Sequence, residues 1–381
     1  MPRPFVITNN ALFKHQKGHE FVGKVIQLHP TASQSLHDQW IGQRVCGDIN
    51  IGCCNFSSDN NSTESSNNDT SSTSSCRVCN NKFNYNQSNS QMSRNHCPNR
   101  TVIGILNQNG TFAEYMTLPL SNLHVVHESI PDEIAVFAEP LAAACRVVEQ
   151  GLVQFRYSGG GEECRGGDRV AILGDGKLGL CIAEILGREY LLAQQKQQQE
   201  QQNGGGGGGI APHAPILFGK HEHKLDLVSD SGVQRRLVKE CYTNEMTQEE
   251  VVSPHHANQY DVVIDSTGNP NGLTLAMILC RPMGRLVLKS TCAAGVKGFN
   301  SAPIVIDELN VVGSRCGPID RALELLEGNS TEGVAENGVV VSAPLRMEKY
   351  ITESFPLSRV RDALECAAKK STMKVQLVMA D

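Results

Sequence analysis

The run Arg169-Val170-Ala171-Ile172-Leu173-Gly174-Asp175-Gly176-Lys177-Leu178-Gly179 constrains this chain more than any other stretch. An apolar run leads into Gly-x-Gly-x-x-Gly, and an apolar helical face follows from Leu178 to Leu186. That order reads as strand, turn and helix. Each glycine has a physical task in such a turn. Gly174 makes the tight bend, Gly176 lets bare backbone approach a pyrophosphate, and Gly179 lets the helix pack on the strand. Lys177 and Leu178 open the helix, whose N-terminus favours an anion. A glycine-rich turn without a ligand is the rival reading, and the surrounding pattern weighs against it. Ile216-Leu217-Phe218, Asp261 to Asp265 and Arg285 to Leu288 are further buried-strand runs, with a helical stretch from Gly272 to Cys280. Strands alternating with helices predict an α/β unit with a parallel sheet.

The chain has 381 residues, enough for two or more domains. Its formal net charge is -6 and no basic run stands out, which argues against nucleic acid as a partner. No apolar stretch reaches the roughly 20 residues of a membrane helix. The start, Met1-Pro2-Arg3-Pro4, has no signal-peptide core, so a cytoplasmic protein is expected. Its 14 cysteines are then expected to be reduced, and clustered ones read as metal ligands before disulfides.

Residues 1–150 read as short strands and turns, for example Phe21 to Ile26 and Thr111 to Met116. Two low-complexity tracts are read as surface insertions: Asn55 to Ser75, and Gln194 to Gln202 followed by Gly204 to Gly209. The tail carries helix-like runs at Arg321 to Leu326 and Val360 to Ala368.

The end of the second strand of a dinucleotide-binding sheet usually carries an acid for the ribose 2′-hydroxyl. Here it reads Phe218-Gly219-Lys220-His221, with Glu222 only afterwards. Lys220 and His221 suit a 2′-phosphate, which favours NADP over NAD, with an ordinary solvated loop as the equal rival reading. Cys76 and Cys79 form Cys-x-x-Cys, with Cys53 and Cys54 upstream and Cys97 downstream. Four such thiolates can close a tetrahedral structural zinc, leaving one of Cys53 and Cys54 spare. His19 and Glu20, with Glu139 far along the chain, are donors suited to a catalytic zinc with an open position.

Taken in order, several segments resemble the medium-chain dehydrogenase/reductase family, and its zinc-containing alcohol and polyol dehydrogenases in particular. They are Gly18-His19-Glu20-Phe21-Val22-Gly23, the cysteine group, Gly110-Thr111-Phe112-Ala113-Glu114-Tyr115, Glu139-Pro140-Leu141-Ala142, the glycine fingerprint, Asp265-Ser266-Thr267-Gly268 and Gly284-Arg285-Leu286-Val287. The resemblance implies a GroES-like β-rich catalytic domain plus a Rossmann doubly wound parallel sheet. The catalytic domain is expected over 1–144, the NAD(P)-binding domain over 145–312, and a return to the catalytic domain over 313–381. It implies that His19, Glu20 and Glu139 serve a catalytic zinc, that Cys53, Cys76, Cys79 and Cys97 hold a structural one, that Thr267 meets the cofactor, and that Lys374 faces the cofactor phosphates.

The implied activity is reversible oxidation of an alcohol or polyol to its carbonyl compound, by hydride transfer to NADP or NAD. A homodimer or homotetramer is implied as well. A zinc-independent NADPH reductase of the same fold and a non-catalytic NAD(P)H-binding relative are the alternatives. The sequence departs from the family pattern in one serious respect. A Cys-Gly-Thr/Ser-Asp-like motif belongs about two dozen residues before His19, but only 18 residues precede it and none is cysteine. A clipped N-terminus, or a weakened or absent catalytic zinc, is the expectation.

Overall fold

A computed structural model describes residues 17–53, 76, 78, 94–155, 167–202, 210–238, 257–291, 300–328 and 343–379. Cys54, Cys79, the tract from Asn55 to Ser75 and the run from Gly204 to Gly209 lie outside them. The chain divides into two compact units. One comprises Met1–Glu139, Pro318–Glu327 and Glu353–Asp381; the other comprises Pro140–Gly317 and Gly328–Thr352.

The second unit is built on six strands: β1 (Val170–Leu173), β2 (Ile216–Gly219), β3 (Gln234–Leu237), β4 (Tyr260–Asp265), β5 (Cys280–Leu288) and β6 (Asn310–Gly313). They lie in the order β6-β5-β4-β1-β2-β3, every neighbouring pair parallel. This is the doubly wound order, and the strand sequence reverses direction between β1 and β4. Leu173 stands opposite both Phe218 and Asp265, so the carboxyl ends of β1, β2 and β4 are level. All four residues of β1 are buried, which is why it reads as an unbroken apolar run. Edge strands β3 and β6 carry exposed residues along most of their length. They lack the apolar signal, and the sequence pattern does not reveal them.

The helix after the glycine turn is longer than its apolar face suggests. It runs from Lys177 to Gln202, buried from Gly179 to Arg188, and then through the glutamine tract with Gln198 to Gln202 exposed. Glutamine, lysine and glutamate are good helix formers, so the helix continues after its packing surface ends. The next long helix, Pro270–Leu279, starts where Asn269 accepts the Asn271 N–H at 2.9 Å and Pro270 occupies the first turn.

A buried carboxylate ties this unit together. Glu184 accepts the Tyr350 hydroxyl, the Ser231 hydroxyl at 2.7 Å and the Lys349 ammonium at 2.9 Å. Burial, and after it the charge of Glu184, hold the Tyr350 hydroxyl protonated well beyond its usual range. Tyr350 therefore acts as a donor, and Tyr350→Phe withdraws a hydrogen bond from a charge with little water to replace it. The expected loss is about 1–3 kcal/mol, read as a lower denaturant midpoint. An unchanged midpoint would show that Tyr350 carries none of the load.

The first unit contains small sheets. Gly23–Lys24, Arg44–Gly47 and Leu123–Val125 form one antiparallel group. Asn50–Ile51, Thr101–Ile103 and Asn107–Gln108 form another, and Ile351–Pro356 with Lys374–Val378 make a two-stranded ribbon. Of the expected strand Phe21 to Ile26, only Gly23–Lys24 pairs. Thr111 to Met116 is not a strand. The N–H groups of Thr111 and Phe112 instead donate to the carbonyls of Gly18 and Lys17, each at 3.0 Å, and that contact serves the site.

Candidate active site

His19 and Glu20 are positioned by the turn before them. Gly18 has φ of +89°, where a side chain is strained, and a Cβ there would lie 2.5 Å from the Phe112 ring. The close approach of Thr111-Phe112 to Lys17-Gly18 thus requires glycine and holds the following pair. Thr111 adds a hydrogen bond from its hydroxyl to the Glu20 carbonyl at 3.3 Å. Glu139 comes from the first turn of the helix Ala138–Glu149, anchored by the fully buried Phe137 just before it. His19, Glu20 and Glu139 each offer one donor atom, all within 4.8 Å of one another, and His19 Nε2 lies 4.0 Å from Glu139 Oε2. The sequence separation between the pair and Glu139 is 119 residues, and the fold removes it.

The cluster brings two carboxylates together, and a cation meets them. Lys374, expected toward cofactor phosphates, is buried, with its ammonium on Glu20 Oε2 and 4.5 Å from the centre of the Phe137 ring. An ion pair offsets part of the cost of holding Glu20 charged at a half-buried position.

The thiolates gather in the same unit. Ile51 pairs with Thr101, which brings Cys53, just beyond one strand, up to Cys97, just before the other. Arg94 helps fix this corner by donating to the Ser121 carbonyl at 2.6 Å, with Asp48 Oδ2 3.7 Å away. Burial pushes the Asp48 carboxyl up, with the Asn50 N–H and Arg94 pulling the other way. The Cys97 sulfur lies 3.5 Å from that of Cys53 and 3.8 Å from that of Cys76. Sulfurs about 2.3 Å from a tetrahedral zinc stand roughly 3.8 Å apart, whereas a disulfide needs about 2.05 Å. The spacing of the three described thiols therefore fits thiolates around one zinc and not a disulfide. Cys79 lies outside the described residues, as does Cys54, so Cys53 is the described member of its pair.

In the other unit the three fingerprint glycines behave differently. Gly174 has φ of +108°. A Cβ on Gly179 would collide with the Gly174 carbonyl, which marks close packing of helix on turn. A Cβ on Gly176 would meet nothing within 4 Å. The first two glycines are demanded by the protein itself; the third keeps open space in front of the helix N-terminus that Lys177 and Leu178 begin, the cradle a pyrophosphate requires.

Ser266 closes the switch point by donating its hydroxyl to the Leu173 carbonyl at 2.6 Å. Thr267 sits at the end of β4 with its hydroxyl on Asp265 Oδ1 at 2.7 Å. At the ends of β5 and β6, the buried Lys289 ammonium donates to the Ser314 hydroxyl at 2.9 Å and the Arg315 carbonyl at 2.6 Å. Lys220 and His221 stand at the tip of β2 with both backbone N–H groups, at 2.7 Å, on the carboxylate of Asp175. Sequence reasoning gave Asp175 no role, because the glycines around it carry the motif and its partners lie 45 and 46 residues away.

Fold and site together define an α/β protein with a dinucleotide-type parallel sheet and two clusters of side chains of metal-ligand type. The profile of the zinc-binding dehydrogenase family matches residues 211–328. L-threonine 3-dehydrogenase of Xanthomonas euvesicatoria pv. vesicatoria (strain 85-10) is 25% identical over 299 residues, 74% of this chain and 66% of that protein. The match to that relative thus spans slightly less than two thirds of its length. Among solved structures, alcohol dehydrogenase TADH of Thermus sp. ATN1 matches with a TM-score of 0.62 at 21% identity, over 96% of this chain and 85% of that one. A protein of Sinorhizobium meliloti 1021 described as a zinc-binding dehydrogenase and solved with NADP matches with a TM-score of 0.63 at 21% identity, over 96% and 83%. A short chain alcohol dehydrogenase of E. coli CFT073, solved with NADH, gives 0.63 at 19%, over 96% and 83%. Over residues 211–328 the chain matches the zinc-binding dehydrogenase family, and the solved structures share its fold.

Proposed function

We propose that this chain is an NAD(P)-dependent dehydrogenase that interconverts an alcohol or polyol and its carbonyl compound, with zinc at both ligand clusters. The observation that carries the reading is the convergence of His19, Glu20 and Glu139 to within 4.8 Å, beside a Lys374 that balances their charge. Relatives that bear the names of dehydrogenases support the same reading.

His19, Glu20 and Glu139 would hold a zinc ion, which would supply a Lewis acid for the substrate oxygen. The chain's own groups do the rest. His19 and Glu139 come from a glycine-pinned turn and an anchored helix start, so little ordering remains to be done when substrate binds. Lys374, paired with Glu20, keeps the cluster from becoming a strongly anionic pocket. In the other unit, the open face at Gly176 and the helix start beyond it receive the dinucleotide's pyrophosphate.

His19→Ala and Glu139→Ala are expected to lose one zinc equivalent and to lower turnover about a hundredfold or more, measured across a panel of alcohols and polyols. Dinucleotide titration should be unaffected in both. Full turnover by metal-free protein would identify a zinc-independent reductase instead. Cofactor binding without turnover on any alcohol or carbonyl compound would identify a non-catalytic relative.

A further inference from the structure

We propose that Asp175 selects the dinucleotide that lacks a 2′-phosphate: from the first glycine loop it supplies the acid missing at the tip of β2, and so favours NAD over NADP. This rests on the dinucleotide reading of the sheet and adds a specificity to it.

The tip of β2 looks basic in sequence because Lys220 and His221 follow Gly219 without an acid. In the fold that tip is already occupied by a carboxylate. Asp175 Oδ2 accepts the Lys220 N–H at 2.7 Å, the His221 N–H at 2.7 Å and the His221 ring at Nδ1, 2.9 Å away. Two successive backbone N–H groups at a strand end are the donors an anionic substituent on the ribose would seek. Here a side chain of the protein has taken both.

Gly219 makes room for this arrangement. A Cβ on residue 219 would lie 2.7 Å from Asp175 Cβ and 2.9 Å from its Oδ2. The bare residue at the tip of β2 and the acid in the loop after β1 are therefore one device, built from positions 44 residues apart. Burial alone would push the Asp175 carboxyl up, but the hydrogen bonds from His221 and Lys220 outweigh it and hold the group below the usual carboxylate range. It is charged at neutral pH.

The adenosine ribose of a dinucleotide meets the end of the second strand of such a sheet. All three donors converge on Oδ2, which leaves Oδ1 to accept a ribose hydroxyl. A 2′-phosphate at the same place would face a fixed like charge and find the strand-end amides engaged, whereas a 2′-hydroxyl finds an acceptor.

The test is fluorescence titration of the full chain with NADH and with NADPH. NADH is expected to bind about tenfold more tightly or better. Asp175→Asn keeps the size of the side chain and an oxygen for the two N–H groups, but removes the charge. It is expected to tighten NADPH by about tenfold while NADH stays equal or weakens. A merely structural role for Asp175 would weaken both nucleotides together. Parent protein that binds NADPH as tightly as NADH, or an Asp175→Asn variant with an unchanged ratio, would overturn the proposal. Folded parent protein that binds neither nucleotide would overturn the dinucleotide reading itself, and is distinguished from the first two outcomes by that double failure.

Discussion

Cys76→Ser is expected to release one zinc equivalent per chain and to lower the melting temperature sharply. The Cys97 sulfur stands 3.5 Å from Cys53 and 3.8 Å from Cys76, the spacing of thiolates around one zinc. Structural zinc contributes its binding free energy directly to folding, about 10–16 kcal/mol in small thiolate sites at neutral pH. A serine hydroxyl is a poor substitute for a thiolate, and the remaining ligands open to water. Cys366→Ser provides the control, since its sulfur contacts Thr372 and lies outside the cluster. Elemental analysis of each variant should show the loss with Cys76→Ser whether or not His19 is intact. A zinc count equal to that of the parent would remove the structural site from the account.

Gly176→Val is expected to abolish dinucleotide binding, by a hundredfold or more in Kd, without unfolding the protein. The reason lies in the contrast between two glycines of the same motif. A Cβ at Gly176 meets no protein atom within 4 Å, so a side chain there starts into the open space that a pyrophosphate would occupy. At Gly179 a Cβ would strike the Gly174 carbonyl, so Gly179→Val should damage the fold as well. The informative result is a normal thermal melt and circular dichroism spectrum for Gly176→Val, with no fluorescence change on titration with NADH or NADPH. Unchanged binding would show that nothing approaches the backbone at that point.

Much of this molecule was legible before folding was considered. The apolar run Val170 to Leu173, the glycines after it and the helix face beyond required a buried strand, a tight turn and a packed helix. The same logic located β2, β4, β5 and the helix at Pro270–Leu279. It did not find β3 and β6. Edge strands exposed to water carry residues such as Gln234 and Arg235 that give no alternating apolar signal. Thr111 to Met116 was read as a strand because its residue types suit one. Its backbone instead satisfies Lys17 and Gly18, a pairing that depends on chain brought in from elsewhere.

The same division holds at the site. Sequence marked His19, Glu20, Glu139 and the cysteines as suitable ligand types, and the order of the motifs, through their resemblance to a family, assigned them to two zinc sites. Their convergence within one unit is a property of the fold. So is the partner of Lys374: resemblance assigned it to phosphates, and tertiary structure gives it Glu20 and the face of Phe137.

Local sequence determined where the backbone must bend and where it must be buried, because those demands are met by residues adjacent in the chain. Tertiary structure alone decided which charges face one another. Asp175 lies inside the most recognisable motif of the chain, yet its role could not be read there. The two N–H groups and the imidazole that give it one belong to Lys220 and His221, just past the end of a strand that reaches it only when the sheet has formed. Coulombic and hydrogen-bond energies depend on distance in space, and distance along the chain does not supply it.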